Sequence, residues 1–235
     1  MSDVRERRNR RQTRQSLKIK NSKNMLNLLG KIVAFLLLPF LAYGFGTAFY
    51  EILTKQTWQM SRVMPFVIGF AAFALFWMIF KRFLQVFCTF EHELTHLIVG
   101  LLFLKIPKSF KVTFTQGGYV EMYGGQNFLV TLAPYFLPTV CYLILPLAWF
   151  LPEKSLPVYL AILGASISFH LFSGWQEFHF GQSDLHEAGL FFSILFLPVA
   201  NLIFFGAILA LVISGNDKFF GFWKQGFVNG FFLFK

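Results

Sequence analysis

Glu91, His92, Glu93 and His96 stand together in the stretch FLQVFCTFEHELTHLIVGLLFL (83–104), which is otherwise apolar and long enough to cross a bilayer. Ionisable groups at that depth cost about 2.5–3.5 kcal/mol each on insertion scales, so they come with partners and a task. His92, Glu93 and His96 spell HExxH. On a helix, imidazoles at i and i+4 project from one face, where their nitrogens can hold one zinc ion. The glutamate beside them can act as general base toward a metal-bound water. The bland alternative is two histidines hydrogen-bonded between packed helices, and polar groups in lipid are too costly for that to be accidental.

Two histidines leave a catalytic zinc one protein ligand short, since such sites use three plus water. His170, Glu177, His179, Asp184 and His186 are the side chains that could complete it. Asp184 is the choice, because it lies in a polar break, HFGQSDLHEAG, and is one of three Asp in the chain, the others being Asp3 and Asp217 near the termini. The competing reading makes Asp184 a helix N-cap before LHEAG, with Glu187 or His186 as the ligand instead. Cys88 is four residues before His92, on the same face, and reads as a buried packing thiol.

The elements that must position these groups are membrane helices. Hydrophobic residues make up 56% of the 235, and the runs are too long for an ordinary soluble domain. Six apolar stretches, about 25–50, 63–80, 83–104, 128–151, 156–175 and 188–214, are each long enough to span, and Pro134, Pro138 and Pro146 should bend the fourth. The expected fold is an all-α polytopic membrane protein of about six transmembrane helices. The first stretch is too long for a cleaved signal and no small-residue cleavage site follows it. Cys88 and Cys141 argue against a disulfide framework.

Of the net charge of +10, nine Arg or Lys lie in the first 23 residues. The chain divides into this basic arm (1–24), a membrane-embedded domain (25–216) and an aromatic, basic tail (217–235) that is expected at the interface. The arm reads as a positive-inside anchor touching anionic lipid rather than as a nucleic-acid-binding segment. With six crossings, basic residues concentrate on the side of the termini, which places both termini in the cytoplasm.

After the HExxH stretch, polarity alternates in KVTFT (111–115) and again in YVEMY (119–123), with Gly117–Gly118 between and Gly124–Gly125 after. This predicts a short β-hairpin-like insertion, whose functional reading is a strand edge that pairs with an extended peptide. A plain extramembrane loop is the other reading.

Together, FEHELTHLIVG, GGYVEMYGG, LAPYFLP and QSDLHEAG resemble the site-2 protease family of intramembrane zinc metalloproteases, in particular its small bacterial members without a PDZ domain. The resemblance covers roughly 83–189. It implies a multi-pass protein of the bacterial cytoplasmic membrane, Zn2+ held by His92, His96 and Asp184, and Glu93 activating water. It also implies substrate contacts from the glycine-containing strand, Gly117, Gly118, Tyr119 and Val120. The substrate would be a membrane protein or a membrane-bound peptide. The reading from another class is a non-catalytic scaffold that keeps the fold to bind partner helices, which has no need of Glu93. A metal transporter would spread its carboxylates and histidines along several spans, whereas here they concentrate at one helix and one break.

Overall fold

A computed structural model of the chain describes residues 2–113, 117–179 and 181–232, with side chains from residue 24 onward. The expected contact between the basic arm and anionic lipid falls on side chains outside the described residues. So do residues 233–235 of the tail. The elements run α1 (Ser2–Lys55), α2 (Met60–Leu102), β1 (Pro107–Thr113), β2 (Gly117–Met122), α3 (Phe128–Leu132), α4 (Thr139–Ile144), α5 (Leu156–Glu177), α6 (Ser183–Ala188), α7 (Leu190–Ser214) and α8 (Asp217–Phe231). The protein is all-α with one small antiparallel hairpin after the HExxH helix.

Among the described residues four helices are long and apolar enough to span, and a fifth unit is the pair 128–135 and 139–149, bent by 91° at the Pro138 break. All six apolar stretches are helical, but the second and third form one continuous helix, α2, of 43 residues. The reason is local. Lys81 and Arg82 interrupt the hydrophobicity without interrupting the helix, because both are good helix formers and no glycine or proline stands near enough to turn the chain back.

α5 packs along α2 in the same direction, Phe66 against Gly164, Phe73 against Phe169 and Trp77 stacked on Phe172. Glycines let the two backbones close. A Cβ on Gly164 would strike the carbonyl of Phe66, and one on Gly69 the carbonyl of Ala161. Gly164→Val is therefore expected to cost about 1–3 kcal/mol of stability, read as a lower melting temperature in detergent than that of Gly174→Val, whose added carbon meets nothing within 4 Å.

α8 folds back along α1. Asn229 Nδ2 donates to Thr47 Oγ1 at 3.0 Å, Gln225 donates to Glu51, and Gly226 and Gly230 meet the Gly44 turn of α1. Its buried residues are Phe219, Phe222, Gly226 and Gly230, so the tail is packed onto a helix rather than lying free.

The two ends of the bundle differ. At one end α1 finishes, α2 starts and α7 finishes. There Gln59 N donates to Ile213 O (2.9 Å), and buried Arg62 donates to Leu211 O (3.1 Å) and Asn216 Oδ1 (2.6 Å). At the other end Asn27 Oδ1 accepts from Phe128 N (3.1 Å) and Lys31 Nζ donates to Glu187 O (3.3 Å). The chemistry-bearing residues gather at this second end, where α1 continues into the basic arm.

Candidate metal centre

The HExxH residues lie in the last third of α2, where the helix is buried on the HExxH face: Glu91, His92, Glu93, Thr95 and His96 are all below a tenth exposed. Their positions are pinned from outside the helix. His96 Nδ1 lies 2.9 Å from Val130 O in α3, and α3 is itself held at its start by Asn127, whose side chain accepts from Val130 N. A carbonyl only accepts, so Nδ1 carries the proton and Nε2 of neutral His96 is left bare.

That bare Nε2 faces His92 Nε2 at 3.2 Å and Asp184 Oδ2 at 3.2 Å, and His92 Nε2 is 3.1 Å from the same oxygen. A lone pair set against a carboxylate oxygen repels unless a cation sits between them. Four ligands around zinc at ~2.0–2.1 Å stand ~3.3 Å apart, and this triangle of 3.1–3.2 Å has the size of one face of such a tetrahedron. His92, His96 and Asp184 are also the one group of three metal-type side chains among the described residues. The donor set and its spacing fit zinc.

Asp184 reaches the histidines from α6, the six-residue helix in the break between α5 and α7. The helix starts from Gln182, and the Asp184 side chain turns to the two imidazoles instead of capping the backbone. Burial works to raise its carboxyl, and only positive charge at the two imidazoles outweighs this and holds it well below the usual carboxylate range. An ionised carboxylate at this point suits a metal ligand.

Of the other candidates for the third position, His170 is drawn away. Its Nδ1 lies 3.2 Å from Glu91 Oε1 in a pair buried on both sides, joining α5 to the turn just before His92. His170→Leu would leave the Glu91 carboxylate buried without its partner and is expected to cost about 3–5 kcal/mol. Thermal unfolding should show that loss and its recovery when Glu91→Leu is added. Glu177 stands within 3.5 Å of Thr89 Oγ1, while His179, His186 and Glu187 lie outside the triangle. Cys88 is fully buried and donates to Leu84 O.

Glu93 is wedged between α2 and β2. A Cβ on Gly118 would meet Glu93 Cγ at 2.7 Å, Lys111 O at 3.0 Å and Thr89 Cγ2 at 3.0 Å, so only glycine lets the strand lie this close. Gly117 opens β2 with φ +73°, the left-handed conformation in which the chain leaves the turn. The glycine pair therefore begins the second strand instead of separating the two strands. Register pairs Phe110 with Val120 and Val112 with Gly118. Val120 O accepts from Gln126 Nε2 at 3.2 Å, so Val120 points its backbone groups away from β1, and by the two-residue period so does Gly118. Tyr119 is exposed and Val120 is buried.

Sequence reasoning passed over Tyr135. It stands in LAPYFLP, a stretch noted for its prolines, and its hydroxyl donates to Asp184 Oδ2 at 3.3 Å. Tyr135 also forms the inner wall of a cavity of about 800 Å3 between α5 and α7, lined as well by His170, Trp175, Phe178, Pro198 and Asn201. A tyrosine between two prolines in an apolar run was the available signal, since a buried phenol needs a polar partner.

Compared with known proteins, residues 65–173 match the family model described as Peptidase M50B-like. The match holds the HExxH residues, the hairpin and Tyr135 and stops before Asp184, whose place beside the histidines is a finding of the structure. No curated protein and no solved structure matches the chain.

Proposed function

We propose, from the premise that the chain belongs to the Peptidase M50B-like family of membrane peptidases, that it is a zinc metalloendopeptidase cutting membrane-anchored proteins or membrane-bound peptides. The observation that carries this reading is the 3.1–3.2 Å triangle of His92, His96 and Asp184 donors beside buried Glu93, inside helices apolar enough to span.

His92 and His96 would hold the metal through Nε2 and Asp184 through Oδ2. When bound, zinc supplies a Lewis acid that brings the pKa of a water toward ~7 and polarises the scissile carbonyl. Glu93 takes a proton from the attacking water and delivers it to the amide nitrogen as the C–N bond breaks, so acid and amine products leave with the proton balance closed. The outer edge of β2 at Gly118 and Val120 offers backbone groups to an extended substrate next to Glu93, and Gln126 must then release the Val120 carbonyl. Val130 O keeps His96 in the tautomer that presents Nε2.

The triangle lies at the end of the bundle from which the basic arm extends, and the positive-inside preference puts that end in the cytoplasm. The scissile bond would therefore be met near the cytoplasmic face, and anionic lipid there would hold the arm. To test the function, membranes of cells making the wild type or Glu93→Gln are compared for new protein ends. Single-span proteins that lose a cleavage product in the variant would support the reading, with the cut sites mapping near the cytoplasmic face. Identical sets of ends would overturn it.

A further inference from the structure

We propose that Tyr135 is a positioning residue of this metal centre, its hydroxyl holding Asp184 as a one-oxygen ligand. The inference rests on the metal reading above and assigns a role to a residue outside the HExxH pattern.

Among the described residues, every polar contact of the Asp184 side chain falls on one atom. Oδ2 faces His92 Nε2 (3.1 Å) and His96 Nε2 (3.2 Å) and accepts from the Tyr135 hydroxyl (3.3 Å). An oxygen that gives one lone pair to a cation has another left for a proton donor, and the phenol occupies that direction. The carboxylate therefore cannot easily rotate its second oxygen onto the metal without breaking this bond, and the ligand oxygen is held in place before a cation arrives.

The phenol is held from three directions. Its backbone lies in the tight turn Ala133–Tyr135 at the break between α3 and α4. Its carbonyl accepts from Asn201 Nδ2 of α7 (3.0 Å), and the same amide nitrogen also donates to Leu197 O (2.9 Å). Its ring meets His92 edge-on at 5.4 Å and Phe178 at 5.9 Å. A ring needed only for packing could be phenylalanine, so Tyr135→Phe isolates the hydroxyl while keeping these contacts.

The test uses the full chain in detergent, wild type beside Tyr135→Phe, with zinc affinity read by chelator competition and the visible spectrum read after cobalt loading. The expected result is roughly 10–100-fold weaker zinc binding and weaker cobalt bands, as the freed second oxygen of Asp184 raises the coordination number. Melting of the metal-free proteins should coincide. Should Tyr135→Phe melt lower, Asn201→Leu, which removes the carbonyl anchor and leaves the hydroxyl in place, is compared in the same way. Its zinc affinity should then fall by less than that of Tyr135→Phe, and equal losses would overturn the proposal. Unchanged affinity and spectrum in Tyr135→Phe, with wild type binding one metal, would overturn this role alone. No metal in the wild type would remove it together with the metal reading.

Discussion

Glu93→Gln should purify with about one zinc per chain and no measurable turnover, while His92→Ala and Asp184→Ala should lose the metal. The contrast follows from where the side chains sit. His92 and Asp184 supply two corners of a triangle of 3.1–3.2 Å, and removing either leaves two donors for a site that needs three. Glu93 is buried beside that triangle but is not a corner of it, and glutamine keeps its size while removing the basic carboxylate. Loss of a positioned general base costs about 10²–10⁴ in rate. Elemental analysis of the four proteins, with cleavage of a substrate found through the Glu93→Gln comparison, reads both effects. Zinc surviving in Asp184→Ala would move the third ligand to Glu187 or a neighbouring histidine. Full zinc with undiminished turnover in Glu93→Gln would remove the proposed base. A scaffold would show neither turnover nor dependence on Glu93.

The second large effect is expected at Gly118. Valine there cannot be accommodated, because the first carbon alone would lie 2.7 Å from Glu93 Cγ and 3.0 Å from both Lys111 O and Thr89 Cγ2. Either β2 lifts from α2 or Glu93 is driven from its place, and both separate the base from the strand edge. Turnover of Gly118→Val should fall by about 10²-fold or more, since a misplacement of ~1 Å near the chemistry carries that cost. Zinc content should be unchanged, because no metal-type donor is touched. Gly117→Ala is the matched control. Nothing lies within 4 Å of its added carbon, and its φ of +73° costs only about 1–2 kcal/mol. Equal activity in Gly118→Val and wild type would show that the close approach of β2 to Glu93 has no part in the reaction.

The site was largely legible because its chemistry is local on one helix. HExxH carries its spacing in consecutive residues, and an ionisable cluster inside an apolar run announces itself by cost. The bend near Pro138 and the hairpin after α2 followed from the same kind of local rule. Four features either depend on packing or were masked by a misleading local cue. The pairing of Asp184 with residues 88 and 92 positions earlier depends on how α6 docks, and α6 is too short to announce its direction. The hydrogen bond of Tyr135 to Asp184 depends on a 91° break whose sense no periodicity contains. The joining of residues 63–80 and 83–104 into one helix was hidden by Lys81 and Arg82, which look like a membrane boundary when only hydropathy is read. Glu91 and His170 likewise appear as two separate polar residues in the sequence, and only packing of α5 on α2 makes them partners.

The length of α2 has a mechanical consequence. At 43 residues it is about 64 Å long, and His92 stands about 45 Å along the axis from Arg62. If the helix swung as a rigid rod about Arg62, a tilt of well under ~1° would move His92 and His96 by ~0.5 Å relative to Asp184, which belongs to another helix. That is about the whole tolerance of a working site. The bonds of Gln59 and Arg62 to the end of α7 thus act as a bearing that sets the aim of a long lever, and the glycine-tight contact with α5 damps it along the way. Angular error at one face of the membrane is converted into misalignment at the other, so residues more than 40 Å away help decide whether His92, His96 and Asp184 meet.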